Sequence, residues 1–592
     1  MDAKCPSIFP DGAMPDRRVE WLEWGDEAFR RAQAEDKPIL LALGVGWDQW
    51  CRLMERDTYG DTNVAMLLNR DYVPVRVDAD RRPDINDRYN VGGWPSTVFL
   101  TPEGDLLWGA ASLDPSQMTQ VLARLREGFA TQRAKLAEAI RERDTKVRLA
   151  RAGMVSERAV PGEEIMRRTM RGIVRTYDPL HGGFGPAPRF AQQPSLRLLV
   201  QALHESGGDE FRSMLERSLD VIGWKGLHDR VEGGFHRLAA GEGWSGIRTE
   251  KLAADNAAHI RLFLEAGQVM DEPRYIERAR STAAWAMKTL RDGARGVFAA
   301  SQAADDEYFG SDAAGRAKRT PPGVDRTLIA EANAELASAL MQASVALDDE
   351  PLGAAGRRAL EAVLSECRDE ARGLARYHDG KPQGFGILRD HAYVARALID
   401  AYEHYADRRY LSEAQRLVDE TWGRFWSEEE QALLDRRPGF EELGELRLRR
   451  RNVDEAAVAC QAALRLSLHT GGEAWRAKAE RTLAGFQDYG DDYGHHTAEY
   501  AAALDWLVRP ATEITVVAPF TGGWVEGMRV VAMGCYHPRR VVRWFDPAMD
   551  AEAIRARGLE AGGAARAYVV RAGKALPPAR SPSELSQQLR RL

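Results

Sequence analysis

Two hydrophobic periods divide the chain. Up to about residue 110 the apolar residues fall in short runs: 38–43, 72–77, 97–100 and 106–108 read as strands, the last two as a hairpin around Pro102-Glu103-Gly104. Helical patterns at 26–35, 50–66 and 83–89 lie between them, and strand–helix alternation implies parallel pairing. A charged, Ala- and Arg-rich helical stretch from 115 to about 151 then forms a linker.

Beyond it the period becomes helical. Leu328, Ala332, Leu336, Leu340, Ala343 and Leu347 form one apolar stripe; Val394, Leu398, Ala401, Tyr402 and Tyr405 form another. Such stripes predict twelve helices, near 161–177, 193–206, 208–227, 250–270, 272–292, 325–347, 350–370, 389–406, 408–427, 453–470, 473–487 and 494–508. The chain ends in short strands at 513–518, 530–532, 540–544 and 566–570 and a closing helix at 582–592. We therefore expect a multidomain protein: an α/β domain with its linker over 1–150, an all-α domain over 151–510 and a small α/β appendage over 511–592.

Short links such as 271–273, 348–351 and 406–407 alternate with long ones at 178–192, 228–249, 293–324, 371–388 and 428–452. Short links make helical hairpins; long links gathered at the other end make a binding rim. Several long links carry a Gly-Phe turn: Gly182-Gly183-Phe184, Gly233-Gly234-Phe235, Gly296-Val297-Phe298 and Gly384-Phe385. Their unequal spacing excludes a simple solenoid.

Composition narrows the partners. With 82 basic and 89 acidic residues the net charge is -7 and no basic stripe stands out, so nucleic acid is not expected. No run of eighteen apolar residues occurs and residues 1–14 lack a signal-peptide pattern, which predicts a cytoplasmic protein away from membranes. Cys5, Cys51, Cys367, Cys460 and Cys535 form no C-x-x-C pair, which argues against a zinc site or a disulfide framework. We expect no metal and no cofactor.

The first 150 residues carry a resemblance. Trp21 and Trp24, Lys37-Pro38, Met54-Glu55, Val77-Asp78 and the run from Gly92 through Pro95 to Pro102 are similar to the N-terminal domain of the YyaL-like, or spermatogenesis-associated thioredoxin-domain, proteins. The resemblance implies a thioredoxin fold in which Pro95 is the cis-proline facing the active-site loop. It continues through Tyr177-Asp178-Pro179, Ala187 to Phe190, Gly233 to Arg237, Glu250-Lys251, Asp255-Asn256-Ala257 and Asp390. There it implies an (α/α)6 toroid related to acylglucosamine 2-epimerases and six-hairpin glycosidases, which suits twelve helices with long loops at one end.

Departures from the family pattern fall on polar positions. Cys-His-Trp-Cys becomes Asp48-Gln49-Trp50-Cys51, and a carboxylate can neither attack nor resolve a disulfide, so dithiol exchange should be absent. Asp48 reads as a helix N-cap and Cys51 as an inward, packed thiol; a monothiol role for Cys51, with Cys5 or an outside partner, is the alternative. Arg248 stands where the family often has histidine, and cysteines it places near Val570 and Ala575 are missing.

Candidate chemistry lies on the long links. As in toroid epimerases, His236 and His391 would exchange protons with a sugar-like substrate, with Arg248, Glu250, Asp255 and Asp390 orienting it. A glycosidase would instead use two carboxyls from Asp178, Glu250, Asp255, Asp390 and Asp454. Asp178, Arg189, Trp244 and Asn256 are candidate substrate-binding residues. A third possibility is a ligand-binding or scaffold protein without turnover, with a protein partner open through the first domain.

Overall fold

The computed structural model describes residues 18–152, 159–489, 493–520, 523–560 and 565–592. Cys5 and residues 1–14 lie outside them. In the first domain the strands β1 (Leu22–Glu23), β2 (Ile39–Gly44), β3 (Val73–Asp78), β4 (Ser96–Leu100) and β5 (Leu106–Ala110) form one sheet ordered β1-β3-β2-β4-β5. β2 runs parallel to β3 and antiparallel to β4, a thioredoxin-like arrangement. The Trp94–Pro95 bond is cis. The helix expected over 50–66 is two, Gln49–Asp57 and Thr62–Asp71. A Cβ on Gly60 would stand 2.2 Å from the Arg56 carbonyl oxygen, and Asp61 accepts the Asn63 and Val64 N–H groups, ending one helix and capping the next.

All twelve expected helices form the middle region. Six are inner: Gln193–Ser206, Ala253–Met270, Ala330–Ala346, Leu388–Tyr405, Val453–Thr470 and Ala498–Val508, called inner helices one to six. Each packs on the next and the sixth on the first, closing a ring, while the alternate helices pack outside. The short links join inner to outer helices at one end of this toroid; the long links enter the inner helices at the other. Inner helices three and four are buried around nearly their whole circumference, as a ring packed on both sides requires.

The last region is a four-stranded sheet in which β6 (Thr512–Val517) lies between β7 (Arg540–Phe545) and β8 (Arg566–Arg571), with β9 (Lys574–Ala575) at the edge. The strand expected over 530–532 is part of the helix Gly523–Gly534. Met528 and Ala532, four residues apart, are buried and Val530 between them is exposed, a helical rather than an alternating pattern.

The sheet domains cover opposite ends of the toroid. The thioredoxin-like domain sits on the long loops: Arg88 pairs with Asp435 at 2.7 Å, Arg436 with Asp84 at 2.8 Å, and Arg376 donates to the Asp80 carbonyl at 2.9 Å. Leu446 of a long loop completes its core. The C-terminal sheet sits on the short links, where Trp544 donates to the Glu403 carbonyl at 2.8 Å and Gln268 to that of Gly534 at 2.9 Å. No helix of the described residues is long and apolar enough to cross a membrane.

Candidate functional site

The long loops are built on a repeated turn. In Asp178–Phe184, Asp229–Phe235, Asp292–Phe298 and Asp369–Ala375 an aspartate opens the turn by accepting backbone N–H groups two or three residues on. Four residues after it stands Gly182, Gly233, Gly296 or Gly373, each at a φ between 75° and 93° that needs glycine. The fourth turn is thus Gly373-Leu374, and Gly384-Phe385 belongs instead to a β-hairpin, Gly373–His378 with Pro382–Phe385.

An inner helix pins three of these turns. Asn256 accepts the Phe235 N–H at 2.6 Å and donates to the Phe235 and Leu252 carbonyls. Asn333 does the same for Phe298 and Ile329. His391 occupies the corresponding position in the next helix: its Nε2 accepts the Leu374 N–H at 3.2 Å and its Nδ1 bonds the Ile387 carbonyl. Asn256 is therefore a clamp on the backbone, not a group offered to a ligand.

The same geometry corrects the two-histidine expectation. His391 is fully buried against Phe425, and burial lowers its pKa to about 3. His236 bonds the Thr249 carbonyl at 2.8 Å, lies edge-on to Phe309, and is likewise lowered to about 3, by burial and then by Lys251. Both rings are neutral near pH 7, so neither is poised to shuttle a proton.

Asp178, Arg189 and Trp244 form a separate knot. Asp178 opens the first turn and pairs with Arg189, which also meets Glu242 at 2.7 Å; Trp244 donates to the His181 carbonyl at 3.1 Å. His181, Leu180 and Arg189 hold the Asp178 carboxyl well below the usual range against the effect of burial. Asp178, His181 and Glu242 bring possible ligand atoms within 4.8 Å of one another, but the Arg189 guanidinium already bridges the two carboxylates.

The other candidates converge on the mouth of the lumen. Asp390, fully buried, accepts from Arg376 at 3.1 Å; Arg376 also meets Glu331 at 2.6 Å, and Arg389 joins Glu331 to Glu455. Burial raises Asp390 to about 6 and Glu455 to about 8 despite these arginines, whereas in Glu331 Arg389 and Arg376 overcome burial and the pKa is lowered. Glu250, 3.8 Å from Arg237, is pushed by burial to about 7. Arg248 lies at the rim, over the exposed Trp50 ring of the thioredoxin-like domain.

Two carboxyls there have no partner. Asp255, on inner helix two, and Asp454, on inner helix five, are partly exposed, and their carboxyl groups form no hydrogen bond or ion pair with the described residues. Asp255 is raised to about 6 by burial with Arg237 opposing; Asp454 is raised to about 7 by burial and then by Glu499. Helices two and five of a six-membered ring stand opposite each other, so these carboxyls flank the lumen from its two sides.

The thioredoxin-like domain roofs this mouth with its altered loop. Trp47 and Trp94 pack over the Arg237 guanidinium at 5.2 and 5.0 Å. Asp48 caps its helix, accepting the Cys51 N–H at 2.8 Å, and the Cys51 thiol is buried and pushed far up by burial and then by Asp48, the reverse of an activated nucleophile. Arg237, Glu331, Arg376 and Asp80 were missed in the sequence. Glu331 stands, like Asp454, second in an inner helix, the one local signal that could have found it.

Residues 13–150 match the family model Thioredox_DsbH, described as "Protein of unknown function, DUF255". The first domain is a DsbH-type thioredoxin-like domain. The chain is 29% identical over 306 residues to spermatogenesis-associated protein 20 of Homo sapiens, in a match covering 48% of this chain and 39% of that protein. It spans about two-fifths of the length of the curated relatives it matches. Among solved structures it is similar to cellobiose 2-epimerase from Spirochaeta thermophila, with TM-score 0.48 and 14% identity over 61% of this chain and 97% of that one. D-mannose isomerase is similar with TM-score 0.47 and 13% identity over 58% and 96%. Beside them stand the DsbH-type domain's buried Cys51 and capping Asp48, which leave no exposed thiol in its loop.

Proposed function

We propose that the roofed mouth of the toroid binds a small carbohydrate-like molecule and acts on it by carboxyl acid–base chemistry of the glycosidase kind, with Asp255 and Asp454 as the acid and base. The observation that carries this reading is the pair of unpartnered carboxyls on opposite inner helices, both raised to between about 6 and 7. Near neutrality one of them holds a proton while the other has released it, the division of labour that cleavage between two carboxyls needs. Arg237, Arg376 and Arg389 supply hydrogen-bond donors around them.

A glycoside panel assayed with the wild type, Asp255→Asn and Asp454→Asn tests the reading. Each variant should lower turnover by about 100-fold or more, the usual worth of a positioned acid or base, while His236→Ala and His391→Ala act only through stability. Turnover that survives both carboxyl variants removes the assignment. A second reading, binding without turnover, draws on the ion pairs that tie the DsbH-type domain over the mouth; a sugar that stabilises the wild type and is recovered unchanged would favour it.

A further inference from the structure

The lumen continues past the mouth into a cavity of about 170 Å³, lined by all six inner helices and closed at the short-link end by the 533–540 segment of the C-terminal sheet domain. Five arginines line it. Arg197 grips Glu265 with two bonds of 2.8 Å, Arg396 meets Glu335 at 2.6 Å, Arg465 meets Asp400 at 2.7 Å, and Arg540 donates to the Met533 and Cys535 carbonyls. Arg261 differs. It makes no hydrogen bond or ion pair with the described residues, and its Nε and Nη1 are buried without a partner.

An unpaired guanidinium enclosed by protein is costly unless an anion completes it. Burial lowers the Arg261 pKa, with Arg197 and Arg396 adding to the effect and the nearby Asp400 and Glu335 opposing it. Beside the cavity runs a groove of about 560 Å³ that shares Leu198 and Gln201 with it. Arg167, Arg171, Arg509, Arg539 and Arg571 line this groove against a single acid, Glu205. These five arginines outnumber the four acids that pair with them, Glu163, Glu164, Glu205 and Asp505, and a basic excess beside a bare cation favours anions.

We propose that the cavity is a second binding site, for a small molecule bearing a carboxylate or phosphate group, held in the fork of Arg261 and admitted through the arginine-lined groove. A charge-assisted N–H···O bond from the guanidinium to an anionic oxygen is stronger than one to a neutral hydroxyl. The site lies deeper in the lumen than Asp255, Arg261 standing six residues further along inner helix two, and its test is separate from that of the chemistry proposed at the mouth.

Calorimetric titration of the full chain with inorganic phosphate, a hexose phosphate, a hexuronic acid and the parent neutral hexose tests it. At least one anionic probe should bind, the phosphate and carboxylate arms telling the two sources apart. Arg261→Gln should weaken that binding by about tenfold or more, leaving the Tm of the free protein unchanged or higher because an uncompensated charge is gone. Arg571→Glu should weaken it less, most visibly at low salt, and Asp255→Asn should not alter it. Absence of binding by all three anionic probes at about 10 mM, which corresponds to a free energy of roughly -3 kcal/mol, overturns the proposal. So does equal binding by Arg261→Gln, or failure of that variant to fold, since either would show that Arg261 serves a different partner.

Discussion

The two ends of the lumen are built from the same six helices and carry opposite loose charges. At the long-loop end Arg237, Arg376 and Arg389 are committed and two carboxyls, Asp255 and Asp454, are bare. Deeper in the lumen the carboxylates are committed, Glu265 to Arg197, Glu335 to Arg396 and Asp400 to Arg465, and one guanidinium, Arg261, is bare. Folding stability alone would pair every buried charge. The unpaired groups are the ones left free to meet a ligand under the two proposals above, and their signs differ.

The largest expected effect is the loss of turnover in Asp255→Asn and Asp454→Asn; next comes the frame that separates the mouth from its supports. If Asn256, Asn333 and His391 are pins and not ligands' partners, their loss must appear in stability. Asn333→Ala leaves the N–H and C=O of Phe298 unmet and should cost about 3 kcal/mol in urea unfolding. His391→Ala should cost a comparable amount, whereas His391→Asn, which restores the amide used at the two sister positions, should recover most of it. Equal losses for His391→Ala and His391→Asn would return His391 to the list of chemical candidates.

That substitution also shows what the sequence could convey. The twelve helices were readable because stripes such as Leu328 to Leu347 extend over many turns, and the thioredoxin-like strands because their apolar runs are bounded by turn residues. The pins were not. Asn256 meets Phe235 across 21 positions and Asn333 meets Phe298 across 35, so a polar residue early in an inner helix looked the same whether it gripped backbone or faced the lumen. Asp255 and Asn256 are neighbours with opposite fates, and a turn of 100° between consecutive helical residues decides which is which. Arg376, on a hairpin read as loop, joins Glu331 and Asp390 only because the ring brings inner helices three and four together.

A smaller effect distinguishes the two ends by pH. Asp255 and Asp454 have folded-state pKa values near 6 and 7, above the roughly 4 of an unfolded carboxyl. Between about pH 4 and 7 the folded chain holds protons the unfolded chain has released, so these groups make stability fall as pH rises through that window. Asp400 does the opposite. Against burial, Arg465 holds it at about 2, so its contribution is complete above pH 4 and is lost as pH falls toward 2. Unfolding followed from pH 4 to 8 should therefore show a downward slope that Asp255→Asn and Asp454→Asn each flatten by on the order of 1 kcal/mol after solvent screening. An unchanged slope would mean that both carboxyls are ionised in the folded state and cannot divide the acid and base roles.

The smallest effect concerns the roof. Asp48 accepts the Cys51 N–H in the first turn of its helix, so Asp48→Ala removes a cap worth about 1 kcal/mol. The same change removes a negative charge that raises the Glu250 carboxyl, which offsets part of the loss. Asp48→Asn keeps the capping oxygen without the charge and should be at least as stable as the wild type. Neither variant should reduce insulin, because burial is the larger cause of the Cys51 shift and survives both. Reduction by the wild type that Cys51→Ala abolishes would make the roof an active redox module and remove the contrast between a chemically silent cover and a reactive mouth.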